Sequence, residues 1–218
     1  ISDKLFWSVK SYINTFDKSR WVKFAPSSDQ QERIADEFHY GAISTLTYRH
    51  SDTLTFEGGV DFEHQDNEST RYKDVERVRQ SQTRSQDFEQ DAFGAFAQAS
   101  LQATPWLKLV PALRVDSIKG DFTDKLTNSN NDINDYDAIW QPKFSAVVTP
   151  IDGYSLYGNW GRTFQVGVGA GAYHSEGAPN LKPSINDGWE IGLNLFSHSK
   201  AVLLTGNKQR PMKYAAYY

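Results

Sequence analysis

Two groups of residues in this 218-residue chain carry side chains suited to chemistry. Glu57, Asp61 and Glu63 stand an even number of positions apart, with Lys108, Arg114 and Lys143 further along the chain. Even spacing puts side chains on one face of an extended strand, where carboxylates and cations either form ion pairs or simply face water. The second group is Arg71, Tyr72 and Arg77 in a long polar stretch, and Tyr173 and His174 in a Gly-rich one. Aromatic rings stack on aromatic solutes and Arg pairs with anionic ones, although the same composition also suits an ordinary solvated loop. Other chemistry is poorly served. Gly167–Gly171 lacks the strand-to-helix context and the Lys-Ser/Thr of a phosphate loop. Asp132, Asn134, Asp135 and Asp137 have no Gly and no distal Glu to complete a calcium loop. His39, His50, His64, His174 and His198 are scattered, and no G-x-S-x-G elbow occurs. No catalytic residue, metal ligand or cofactor is expected, so the chain reads as no enzyme.

The elements that must position these residues are strands. Net charge is −4 and mean hydropathy −0.61, which argues against a basic nucleic-acid binder. Apolar runs such as Ala201–Leu204 fall far short of the roughly 20 residues a spanning helix requires. The chain opens at Ile1 without a basic segment and an apolar one behind it, so no secretion signal is visible, and a removed leader or a fragment is expected. It contains no Cys, which excludes disulfides and thiolate metal sites. Alternation is the informative feature. Leu54, Phe56, Gly58, Val60 and Phe62 fall on one face, and Thr55, Glu57, Gly59, Asp61 and Glu63 on the other. The pattern repeats at Leu107–Val115, Ala138–Val148, Trp7–Ile13, Phe93–Leu101 and Trp189–Leu195, with Phe96 as an exception on a polar face.

An antiparallel sandwich with one solvated face alternates in the same way. Connection lengths favour a membrane barrel, which joins strands by short turns at one end and long loops at the other. Short links are expected near Phe16–Ser19, His50–Asp52, Ala103–Pro105 and Pro150–Gly153. Between them lie the polar stretches Ala25–Glu37, Gln65–Asp91, Gly120–Asp137 and Phe164–Pro183. Tyr40, Phe93 and Trp140 beside the long stretches, and Tyr48, Trp106 and Tyr154 beside the short links, suit two interfacial girdles.

Several segments also resemble one family. Tyr157–Gln165, Pro179–Ser184 and Trp189–Leu193 are similar, in order and spacing, to the late-barrel strands of TonB-dependent siderophore receptors. Phe93–Gln98, Leu113–Asp116 and Gly59–Glu63 resemble that family's earlier strands, so the likeness covers about residues 36–196. It implies an all-β fold, an antiparallel transmembrane β-barrel, with about ten strands here of the 22 that close around a plugged lumen. Residues 1–196 then form part of a barrel, and 197–218, where alternation gives way, an atypical or truncated tail. No plug domain is recognisable. The function implied is part of an active transporter in the outer membrane of a Gram-negative bacterium, for an iron–siderophore or similar nutrient. The implied partners are that ligand, outer-membrane lipid and, through the plug, the TonB complex; nucleic acid is not among them. Tyr173, His174, Arg71, Tyr72 and Arg77 become candidates for ligand capture, and Glu57, Asp61, Glu63, Lys108, Arg114 and Lys143 for contacts of the lumen wall with a plug. A soluble carbohydrate-binding sandwich and a smaller porin or enzyme barrel remain as alternatives.

Overall fold

The computed structural model describes residues 4–133, 135–166, 182–197 and 200–209, the side chains of 131, 132 and everything beyond 194 excepted. The strands are β1 (Leu5–Val22), β2 (Gln30–Ser51), β3 (Leu54–Val75), β4 (Val78–Thr104), β5 (Leu107–Asp124), β6 (Ser129–Asp132), β7 (Tyr136–Ile151), β8 (Tyr154–Gln165), β9 (Ser184–Ser197) and β10 (Lys200–Gln209). All belong to one antiparallel sheet in chain order, with the short β6 folded back onto β5. The stretch 201–204 that breaks the alternation lies within β10, which pairs with β9.

Registers carry the alternation of single strands across the whole sheet. Val9 pairs with Ser44, Ser44 with Val60, Val60 with Ala95, Ala95 with Val115 and Val115 with Trp140. Further along, Phe144 pairs with Trp160 and Trp160 with Trp189. The outcome is a continuous apolar belt. On β3 it runs from Leu54 to Phe62, nine residues, against the about 9–11 that a tilted strand needs to cross a bilayer. Phe38, Tyr40, Phe62 and Phe93 cluster at its upper edge, with Phe62 and Phe93 ring centroids 4.8 Å apart. Among the described residues nothing covers this belt: Trp7 is 66% exposed and Val60 58%. A sandwich would have buried those side chains under a second sheet, so the single layer removes that reading.

The connections correct two expectations. Residues 16–19 are no turn, because β1 runs straight through them to Val22 and the first link is 23–29. The polar stretches 25–37 and 65–91 are largely strand. β2 begins at Gln30, and β3 and β4 remain paired up to the two-residue turn Glu76-Arg77. Both faces are wet at that height, so alternation disappears while the backbone ladder and polar cross-strand pairs persist, such as Gln86 with Asp124 at 2.9 Å. Glu76 and Arg77 have φ of 50° and 67°, the left-handed pair that a tight hairpin turn requires. Asp74 steadies the turn by accepting the Arg77 N–H at 2.8 Å. At the other end, the links Asp52-Thr53, Pro105-Trp106 and Asp152-Gly153 fall where short turns are expected.

Candidate functional site

The face opposite the belt is polar and internally paired at belt height. Arg114 on β5 reaches over β4 to Asp61 on β3, donating from Nη1 at 2.7 Å and Nη2 at 2.8 Å. Its Nε–H lies 2.9–3.0 Å from both oxygens of Asp116, and Gln141 also donates to Asp116. This reach depends on Gly94, which lies between the partners. A Cβ there would overlap the Arg114 guanidinium and come within 2.6 Å of Asp61 Oδ1. Gly41 does the same for Tyr12, whose ring crosses it so that the hydroxyl donates to Glu63. Gln98 and Thr47 donate to Glu57 at 3.1 and 3.3 Å. Phe96, apolar on this polar face, lies where a Cβ on Gly59 would be, 2.6 Å from its Cε1, so it fills the gap that glycine leaves.

Above the belt the same face changes character. Arg20, Arg33, Arg71 and Arg84 pair directly in register across β1, β2, β3 and β4. Like charges side by side are destabilising in a sheet. They line a recess of about 290 Å³ together with Lys18 and one carboxylate, Glu37. Arg33 donates to Gln31 at 3.2 Å, and the buried Nε of Arg71 has no hydrogen-bond partner among the described residues. Burial first, then the neighbouring guanidiniums, pull the Arg33 and Arg71 pKa values below the ordinary arginine range.

On the other side of the sheet at that height, Glu32 is buried and bound by Arg79, with Nη2 donating at 3.1 Å, and by Ser19 at 3.0 Å. The Arg79 hydrogen bond is the main cause holding the Glu32 carboxyl below its ordinary pKa. A depressed carboxylate stabilises the fold above its unfolded pKa of about 4.3 and loses that contribution as pH falls through the folded value. Hydrogen exchange at residues 30–36 and 72–82, corrected for intrinsic rate, should therefore accelerate as pH falls from about 5 through the folded pKa of Glu32. In Glu32→Gln it should be fast already at neutral pH.

The residues singled out from sequence are only partly brought together. Arg71 joins the arginine row, whereas Tyr72 points to the other face with Arg79 4.7 Å above its ring. Arg77 is at the hairpin tip, 5.3 Å over the Trp21 ring. Tyr173 and His174 lie outside the described residues. Glu57, Asp61, Glu63 and Arg114 all take part in the polar network at belt height. Lys108 and Lys143 share that face and are exposed, without an ion pair among the described residues. Arg20, Arg33 and Arg84 were not foreseen. Stepping two residues at a time from Glu63 reaches Arg71, but their alignment requires the register, which the sequence marks weakly.

A single antiparallel sheet with an uncovered apolar belt on one side and a charge-paired polar face on the other is the wall of a transmembrane β-barrel. The chain belongs to the family described as TonB dependent receptor-like, beta-barrel, whose model matches residues 1–207. Among solved structures it is similar to the ferric citrate transporter FecA in its unliganded form, with TM-score 0.74 and 14% identity over 89% of this chain and 30% of that one. The copper transporter OprC gives 0.71 and 16% over 96% and 36%. The ferric yersiniabactin uptake receptor FyuA from Yersinia pestis gives 0.69 and 12% over 91% and 32%. This chain thus spans about a third of the length of each. No curated protein matches it by sequence.

Proposed function

We propose that this chain is wall and external surface of an outer-membrane TonB-dependent transporter that takes up an iron–siderophore chelate or a similar scarce nutrient. The observation that carries the reading is the division of one sheet into a lipid-height apolar belt and a charged lumen face, in a chain that belongs to this receptor family. Neighbours in structure include transporters for ferric citrate and for copper, which supports a metal chelate as cargo. Residues 1–196 contribute wall, the 197–218 tail extends it through β10, and the plug that contacts TonB is supplied by another part of the native polypeptide. Lys108 and Lys143 are wall cations available to a plug, while Tyr173 and His174 belong to the external capture surface with the Arg71 hairpin. The chain performs no catalysis in this reading.

The test is fractionation and uptake with the chain in its native polypeptide. The expected result is a heat-modifiable barrel in the outer membrane and iron-chelate accumulation that stops when the proton-motive force is collapsed. A protein recovered in soluble fractions, or accumulation indifferent to the uncoupler, would overturn the proposal.

A further inference from the structure

We infer that the arginine row Arg20–Arg33–Arg71–Arg84 is a binding site for a polyanionic solute, one bearing several carboxylates or phosphates, on the external part of the lumen wall. The inference rests on the transporter reading for the direction of approach and adds the charge of the ligand. Arg71 stands nine residues beyond Phe62 on β3, which places the row roughly 20 Å above the top of the belt on a tilted strand. A solute from outside meets this height before it reaches the paired network of Asp61, Glu63 and Arg114.

Three features distinguish the row from a solvated charge patch. The first is alignment: four guanidiniums on four successive strands face the same way across roughly 14 Å, at about 4.8 Å per strand. Opposite charges across from each other stabilise a sheet, and this one pairs Arg162 with Asp187 in that way. The second is the charge of the recess, five cations against the single carboxylate Glu37. The third is the buried Nε–H of Arg71, which has no hydrogen-bond partner among the described residues and so is a donor ready for an acceptor. A planar fork of N–H donors matches carboxylate and phosphate oxygens in pairs, so one multivalent anion satisfies several arginines and relieves their mutual repulsion. Phe16, on the same lining, offers an apolar edge to the organic part of such a solute.

The experiment is calorimetric titration of the native polypeptide in detergent with citrate and, separately, pyrophosphate. Binding of at least one probe is expected, weakening as salt is raised. In the double variant Arg33→Gln/Arg71→Gln affinity should fall by about tenfold or more, since two charge-assisted contacts are lost. Arg33→Lys/Arg71→Lys, which keeps the charge and loses the fork, should fall between. Lys10→Gln, a change on the same face far below the row, should bind as the parent does. The preferred probe separates a carboxylate ligand from a phosphate one. Absence of binding by both probes, or equal affinity in the glutamine double variant, overturns the inference. The titration needs neither plug movement nor an energised membrane. Binding without energised uptake would therefore sink the transport reading and leave the anion site standing.

Discussion

Gly94→Val should destabilise the folded barrel by about 2–3 kcal/mol, read as a lower urea midpoint for loss of heat-modifiable migration. The physical reason is local. A side chain at Gly94 occupies the path by which Arg114 crosses β4 to Asp61, so the bidentate pair must open. Removing one partner from a fully buried pair costs about 3–5 kcal/mol, and these side chains are 26–29% exposed, which discounts the figure. The guanidinium is flexible, so the loss should come from the ion pair and not from backbone strain. A double-mutant cycle checks this: in an Asp61→Asn/Arg114→Gln background the same valine should cost well under 1 kcal/mol. An equal cost in both backgrounds would show that the backbone itself cannot accept a Cβ there.

The second large effect concerns the opposite face. Val60→Arg puts a charge in the upper half of the apolar belt, between Ser44 on β2 and Ala95 on β4. An arginine on the lipid face costs about 2–4 kcal/mol at the bilayer midplane and less toward the interface, so about 1–3 kcal/mol is expected here. Folding yield into lipid vesicles should drop accordingly. Gln98→Arg, on the lumen face beside Glu57, should fold nearly as well as the parent because it exchanges a hydrogen bond for an ion pair. Equal yields for the two arginine variants would mean that the belt does not face hydrocarbon.

How much of this was legible in the sequence divides at the top of the belt. From Leu54 to Phe62 one face meets lipid and the other water, so alternation reads directly as strand and face. From His64 to Val75 both faces are solvated, and nothing in the residue types separates a paired strand from a loop. The turn at Glu76-Arg77 escaped notice for a related reason. Both residues take positive φ, yet neither is the Gly or Asn that usually signals it. Without that turn the register of β3 on β4 was unknown, and with it the coincidence of Arg71 and Arg84. Arg33 was hidden by the reading of residues 25–37 as loop. The polar network is a middle case. Asp61, Glu63 and Arg114 were placed on the right kind of face from spacing alone, but the glycines that let Arg114 and Tyr12 reach across a strand acquire their meaning only from neighbours.

If the chain is transporter wall as proposed, the height of the β3–β4 hairpin has a consequence for whatever meets the cell surface. Val75 lies thirteen residues past Phe62, so the tip at Glu76-Arg77 stands roughly 30 Å beyond the belt on a tilted strand. In the transporter proposed above, particles too large to enter the lumen, such as antibodies or phage tails, would meet this hairpin well above the belt. Because the tip is a two-residue turn whose flanking residues stay paired through Val75 and Val78, a foreign epitope grafted there would be displayed well clear of the lipid headgroups.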